Sequence, residues 1–204
     1  MEVIRNISKI LQENSYILVN ARNEAIVIDP GFDNFDLFEL IKANKYKVLA
    51  VLLTHGHFDH SKDAKVFLDQ GIPVLAHKLA NKKISKDGCL SYVQQYVVDE
   101  VFESFEASIT FDQDCKFGIS DFNIQVICTP GHSEDSVCYL VNGILFSGDT
   151  LFANGSGRTD FEDSNAQDMK DSIKKLFELP SDTPVYPGHS FSTLIGNEKL
   201  FFKL

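Results

Sequence analysis

Val48-Leu49-Ala50-Val51-Leu52-Leu53-Thr54-His55-Gly56-His57-Phe58-Asp59-His60 runs from an aliphatic stretch straight into a cluster of ionisable side chains. Residues 48–53 are apolar without alternation, the pattern of a strand covered on both faces. They end at Thr54, directly before His55. Reactive side chains therefore begin where a buried strand emerges, a common place for a site in layered α/β folds. Within the cluster alternate residues project to the same side. His55 and His57 can thus face one ion, while Asp59 and His60 point elsewhere and can serve a second.

On the N-terminal side, Ser15–Asn20 and Ala25–Asp29 read as strands from their β-branched and aliphatic content, bounded by Asn, Asp, Pro and Gly. Between Asp29 and the decisive run, Asp33 is a candidate cap for a helix carrying Leu37, Leu40 and Ile41 on one face. Beyond the run a helix is expected from His60 to Gln70, then a strand over Pro73–Ala76. Residues 77–105 read mainly as helix with a break at Asp87-Gly88, and they are expected to shape substrate access.

The second half repeats the style of the first. Ser108–Phe111, Asn123–Cys128, Val137–Val141 and Ile144–Ser147 are strand candidates, with Asn142-Gly143 as a hairpin turn. A Gly-rich loop, Thr150–Asp163, leads to a helix for which Ser164 and Gln167 form a capping-box pattern. Met169, Ile173, Leu176 and Phe177 line its apolar face. A last strand over Pro184–Tyr186 runs into Pro187-Gly188-His189. Two strand-rich halves, each with helices, predict an α/β fold: a four-layer αββα sandwich of two mixed β-sheets flanked by helices.

A length of 204 residues fits one domain, residues 1–204, large enough for a full core without disulfide staples. The formal charge of −10 argues against a nucleic-acid surface, which needs a basic footprint. It leaves a small anionic substrate open, because bound metal ions reverse the local sign. Cys89, Cys115, Cys128 and Cys138 show no CxxC spacing and read as reduced thiols, not as zinc ligands. No apolar run approaches the roughly 20 residues of a membrane span, and the N-terminus lacks a signal-peptide pattern. The expected setting is cytoplasmic and the expected partner a small-molecule substrate, with neither nucleic acid nor membrane involved.

The remaining ligand candidates share one means of delivery, a strand ending in a turn that contains Gly. His132 follows Thr129-Pro130-Gly131, Asp149 follows Ser147-Gly148, and His189 follows Pro187-Gly188. Imidazole with carboxylate suits zinc, iron or manganese, and the missing thiolate argues against a structural zinc. His77 stands apart and reads as an ordinary core or surface histidine. Asp29, in Ile28-Asp29-Pro30-Gly31, has two readings: a turn residue, or a hydrogen-bond partner of a ligand histidine. No GxSxG elbow offers a serine nucleophile.

Thr54-His55-Gly56-His57-Phe58-Asp59-His60, Thr129-Pro130-Gly131-His132, Ser147-Gly148-Asp149-Thr150-Leu151-Phe152 and Tyr186-Pro187-Gly188-His189 together resemble the metallo-β-lactamase superfamily, and within it the glyoxalase II-like branch. The resemblance implies His55, His57 and His132 on one divalent metal ion, Asp59, His60 and His189 on a second, and Asp149 bridging them. Zinc is the first expectation for both ions, with iron or manganese as alternatives. It further implies hydrolysis by a metal-bridging hydroxide, with Asp59 orienting that hydroxide as a catalytic residue. The implied substrate is a thioester such as a hydroxyacylglutathione.

With residue 204 following soon after His189, a departure from glyoxalase II is expected: no C-terminal helical domain of the kind that helps bind glutathione there. Its Gly157-Arg158-Thr159-Asp160-Phe161 run resembles the short single-domain proteins of that branch and also the persulfide dioxygenases. Arg158 is a candidate substrate contact or one half of an internal ion pair with Asp160. The runner-up activity is accordingly a mononuclear-iron persulfide dioxygenase. Other hydrolases of the fold, such as lactonases and phosphoesterases, and a non-catalytic relative come after it.

Overall fold

The computed structural model describes residues 1–9, 11–32, 34–85 and 103–203. The chain divides into two compact units, Met1–Phe111 and Asp112–Leu204.

The described residues of the first unit form a six-stranded sheet in the order β1-β2-β3-β4-β5-β6. Its strands are β1 (Glu2–Ile7), β2 (Asn14–Val19), β3 (Glu24–Ile28), β4 (Lys47–Leu52), β5 (Val74–His77) and β6 (Ile109–Phe111). The first three pair antiparallel, and β3 through β6 pair parallel. A parallel step needs a crossover, and α1 (Phe35–Asn44) supplies the one between β3 and β4. Leu37 is fully buried on that helix, while Leu40 and Ile41 pack partly buried against the same core. Val51 and Leu53 belong to this core, and Ala50 and Leu52, facing the other way, are equally buried. The decisive run is thus covered on both faces where it approaches Thr54.

The second unit holds a six-stranded sheet among its described residues, in the order β12-β11-β10-β9-β8-β7. These are β7 (Cys115–Ile119), β8 (Phe122–Cys128), β9 (Val137–Val141), β10 (Ile144–Gly148), β11 (Pro184–Pro187) and β12 (Thr193–Leu194). β7 to β10 meander antiparallel, β10 and β11 run parallel, and β12 returns antiparallel. Asn142 (φ 47°) and Gly143 (φ 86°) turn the β9–β10 hairpin, since a two-residue turn of this hand requires positive φ at both positions. The expected α/β class, with two mixed sheets and flanking helices, is what the chain forms.

Several local expectations are corrected. The helix expected over His60–Gln70 is two short ones, α2 (Phe58–Ser61) and α3 (Ala64–Asp69). The break lies at Asp63, whose N–H donates to the Gly31 carbonyl and whose carboxylate accepts from the Asn34 N–H at 2.7 Å. Asp33, the expected cap of α1, lies outside the described residues, and Asn34 occupies the N-cap position. Of the helix expected over residues 77–105, a 3-10 turn (Lys78–Ala80) and α4 (Asn81–Ile84) are present, while residues 86–102 with Asp87, Gly88 and Cys89 lie outside the described residues. Asn165, not Ser164, caps α5 (Ala166–Leu176), its side chain accepting from the N–H groups of Gln167 and Asp168. The expected apolar face of α5 is present, with Met169, Ile173 and Leu176 buried.

Four elements have weak sequence signals and were not anticipated: β1, β7, β12 and α6 (Ile195–Phe202). β1 and β7 are edge strands, and Arg5, Asn6 and Gly118 dilute their alternation. α6 leaves Leu200 and Phe201 exposed, so it carries no clean apolar stripe. No helix among the described residues is long and apolar enough to cross a membrane.

Candidate functional site

In the first unit the site begins at the parallel ends of β3 and β4. Asp29 adopts a left-handed backbone (φ 46°) just after β3, and its N–H donates to the Leu52 carbonyl. Its carboxylate is buried and collects the Thr54 N–H at 2.7 Å on Oδ1, with the Thr54 hydroxyl at 2.6 Å and His60 Nδ1 at 3.0 Å on Oδ2. Asp29 is therefore both the turn residue and the hydrogen-bond partner of His60, a candidate ligand. Its carboxylate requires a proton on His60 Nδ1, so the ring's lone pair sits on Nε2.

The same logic fixes His55. The Thr54 hydroxyl gives its proton to Asp29, so across the 3.1 Å contact it accepts from His55 Nδ1. The His55 lone pair then lies on Nε2, which is 3.0 Å from His57 Nδ1. His57 has extended backbone at the N-cap of α2, and its carbonyl accepts the N–H groups of His60 and Ser61. The His55 ring lies against both the others, 4.5 Å from His57 and 4.2 Å from His60 between ring centres. His60 Nε2 is 3.7 Å from Asp59 Oδ2. His55, His57 and His60 are all buried, whereas the Asp59 side chain is 19% exposed.

Behind His60 lies Glu13, a fully buried carboxyl that the sequence reading did not single out. Its Oε2 accepts from the Ser15 hydroxyl at 3.1 Å, and among the described residues Oε1 has no hydrogen-bond partner. Gly31 (φ 88°) makes room for it, because a Cβ there would come within 2.8 Å of Glu13 Oε2. Burial pushes the Glu13 carboxyl well above the usual carboxylate range, against the pull of the His60 ring, and Asp29 and Asp59 add to the rise. In the unfolded chain this group titrates near about 4.3. A folded value above the unfolded one leaves stability intact below that pH and removes it as pH rises toward the folded value. Glu13→Gln in chelator-treated protein is therefore expected to melt higher than the parent at pH 8, with the difference shrinking toward pH 5. A variant melting at or below the parent at pH 8 would contradict burial as the dominant cause.

In the second unit three strand ends deliver the other candidates. β8 runs into Thr129-Pro130-Gly131-His132, and Gly131 (φ 148°) lies against α5, where a Cβ would sit 2.5 Å from Met169 Cα. The Ser172 hydroxyl donates to the Pro130 carbonyl, and the Ser164 hydroxyl to the His132 carbonyl. His132 Nδ1 donates to the Arg158 carbonyl at 2.9 Å, which puts the lone pair on Nε2. Asp149 follows β10, and His189 follows the parallel neighbour β11, with the Gly188 N–H bound to the Gly148 carbonyl. Asp149 Oδ2 lies 3.4 Å from His132 Nε2 and 3.7 Å from His189 Nε2.

The structure thus groups His55, His57, Asp59 and His60 in one unit, and His132, Asp149 and His189 in the other. In the first unit the buried imidazoles of His55, His57 and His60 lie beside Asp59, and in the second the buried His132 and the partly exposed His189 lie beside Asp149; imidazole with carboxylate is the donor set that divalent zinc, iron or manganese accepts. Arg158 is ion-paired with Asp160, at 2.5 Å from Nε and 2.7 Å from a terminal nitrogen, and its guanidinium lies 4.6 Å from the Phe161 ring centre. The contribution of Arg158 that the sequence did not reveal is its main-chain carbonyl. His77 proves structural: its Nδ1 accepts from the Leu79 N–H and caps the 3-10 turn. Cys115, Cys128 and Cys138 are free thiols, and burial pushes Cys128 and Cys138 up to about 11. Protonated thiols of this kind are poor ligands and nucleophiles at neutral pH.

Comparison with known proteins adds relatives to this geometry. The family model for the metallo-beta-lactamase superfamily matches residues 9–189. A probable metallo-hydrolase of Streptococcus pyogenes is 33% identical, aligned over 98% of this chain and 88% of its own length. A hydroxyacylglutathione hydrolase of Francisella philomiragia is 34% identical over 89% of this chain and 64% of its own. Among solved structures, the BLEG-1 B3 metallo-beta-lactamase superposes with a TM-score of 0.89 at 33% identity, covering 97% of this chain and 96% of its own. The di-iron-bound form of TTHA1623 gives 0.83 at 29%, with 96% of each chain covered. ETHE1 from Myxococcus xanthus gives 0.78 at 26%, covering 98% of this chain and 82% of its own.

Proposed function

We propose, for a chain that belongs to the metallo-β-lactamase superfamily, that it is a binuclear metallo-hydrolase acting on small thioesters, the hydroxyacylglutathione class first among them. The observation that carries the reading is tautomeric. Thr54, Asp29 and the Arg158 carbonyl each take the Nδ1 proton of one histidine, so His55, His60 and His132 all present Nε2 lone pairs. Satisfied core histidines need not have one ring nitrogen held protonated by a partner so that the other keeps its lone pair, whereas a metal ligand needs one unprotonated nitrogen, fixed by the bond the other makes.

On this reading His55, His57 and His132 would hold one divalent ion, Asp59, His60 and His189 would hold the other, and Asp149 would serve both. Ions held there would supply a Lewis acid for the substrate carbonyl and would draw the pKa of a bound water toward about 7. Asp59, the partly exposed carboxylate of the set, orients the attacking oxygen and can accept its hydrogen bond. Asp29 carries no substrate contact; it holds His60 in one tautomer. Arg158, about half exposed and paired with Asp160, is the proposed contact for an anionic part of the substrate, a guanidinium being suited to a carboxylate. Residues 1–204 then act as one catalytic domain on a small-molecule substrate. A cytoplasmic setting suits the free cysteines.

Support for a thioester comes from the hydroxyacylglutathione hydrolase relative, and support for iron from the di-iron neighbour; zinc remains the first candidate from the donor set. The second reading, a mononuclear-iron persulfide dioxygenase, draws on the Gly157–Phe161 run. Elemental analysis of purified protein, paired with assays on a thioester panel, a β-lactam and glutathione persulfide, separates them. About two metal ions per chain with thioester hydrolysis is the expected result. One iron per chain with oxygen uptake on the persulfide would sink the hydrolase, and turnover of the β-lactam alone would move the substrate class.

A further inference from the structure

α6 carries Glu198, a carboxylate only 1% exposed that has no part in the chemistry above. Its Oε2 accepts the Asn154 N–H at 2.8 Å, and its Oε1 accepts the Thr193 hydroxyl at 2.7 Å. The two donors lie on different supports. Thr193 belongs to β12, which pairs with β11, the strand that delivers His189. Asn154, itself in a left-handed conformation (φ 60°), belongs to the loop that follows Asp149.

That loop touches all three candidate ligands of the second unit. Phe152, bridged to Gly155 by paired main-chain hydrogen bonds, stands edge-on to the His189 ring with centres 6.3 Å apart. The Gly157 N–H donates to the Asp149 carbonyl at 3.1 Å, and the Arg158 carbonyl accepts from His132. α6 is a firm anchor, since Ile195 is fully buried and the Gly196 N–H donates to the Ser181 carbonyl at 2.8 Å.

We infer that Glu198 is a positioning residue for the metal-ligand loop: it ties the loop after Asp149 to the strand pair that carries His189, and so sets the mutual placement of His132, Asp149 and His189. The inference rests on the metal-binding reading proposed above. A carboxylate suits the task because both partners are donors and it accepts from both at once. An amide of the same size turns an N–H toward one of them. Because the three ligands are shared between the two proposed ions, loosening the loop weakens both ions together.

The test titrates metal-free protein with zinc against a chromophoric chelator and follows amide hydrogen exchange of the metal-free protein at Asn154 and Gly157. Glu198→Gln and Glu198→Ala are expected to lower the affinity of both zinc equivalents about tenfold and to speed exchange at Gly157. Leu176→Ala, a cavity in the same core, is expected to lower Tm while leaving both affinities within about twofold. Thr193→Val, which keeps the Asn154 bond, should fall between the parent and Glu198→Ala. Unchanged affinity and exchange in Glu198→Gln would overturn the inference, as would an equal loss of affinity in Leu176→Ala. A parent protein that binds fewer than two zinc ions while Glu198→Gln still speeds exchange at Gly157 would instead count against the binuclear reading and leave the loop tie standing.

Discussion

On the proposed binuclear reading, Asp149→Asn should leave a folded protein that binds at least one metal ion fewer than the parent and has lost nearly all of its turnover, on the order of 10³-fold or more in kcat/KM. Asp149 Oδ2 sits within 3.4–3.7 Å of Nε2 atoms of two histidines. On the proposed reading Asp149 would be the carboxylate shared between two cations, and a neutral amide would not balance two dications in a buried setting. The fold should survive because the main-chain bonds of Asp149, such as that from Gly157 N–H, do not depend on its side chain. Metal content per chain, thermal melting and thioester turnover check the three parts separately. Full metal content with turnover near the parent's would refute the bridging role.

Gly157→Ala is the second large effect, and it arises from space, not charge. A Cβ at position 157 would lie 2.1 Å from the Asp149 carbonyl oxygen and 3.0 Å from His132 Nδ1. The first of these atoms is main chain and cannot swing aside, so the loop must withdraw. Withdrawal breaks the Gly157–Asp149 hydrogen bond and pulls the Arg158 carbonyl off His132, releasing the ring from its tautomer. A loss of about 2–4 kcal/mol in stability and of about 10–100-fold in metal affinity is expected. Urea unfolding and zinc titration read the two. Gly155→Ala, where a Cβ meets nothing within 4 Å, should be close to silent in both. Equal effects at the two positions would mean that loop flexibility, and not the close approach at Gly157, accounts for the loss.

Much of the architecture was readable in the residues because burial leaves a pattern. The unbroken aliphatic run before Thr54 belongs to a strand packed on both faces, and Asn142-Gly143 marks its hairpin because few other pairs tolerate two positive φ angles. The misreadings occur where a tertiary bond overrides a local signal. Ser164 fits a capping box, yet its hydroxyl is drawn to the His132 carbonyl and Asn165 caps the helix. The helix expected through Asp63 is broken because Asp63 bonds to Asn34 and Gly31. Edge strands β1 and β7 were silent because both are short, hold no fully buried residue, and have Arg5, Asn6, Lys116 or Gly118 interrupting their apolar positions.

The candidate ligands could be named from sequence alone, since His and Asp at Gly-bearing strand ends are a chemical signature that survives without coordinates. Their protonation geometry could not. That His55, His60 and His132 all hold their lone pairs on Nε2 depends on Thr54, Asp29 and the Arg158 carbonyl, and His60 and His132 lie 31 and 26 residues from their partners. The buried Glu13 behind His60 and the tie from Glu198 to Asn154 were equally invisible, because a carboxylate's burial depends on what folds over it. Sequence by itself determined the class of fold and the kinds of atoms gathered at the strand ends, both of which are matters of local pattern. Only the tertiary structure decided which nitrogen of each ring faces inward and what holds it there, because hydrogen bonds between segments far apart in the chain set those choices.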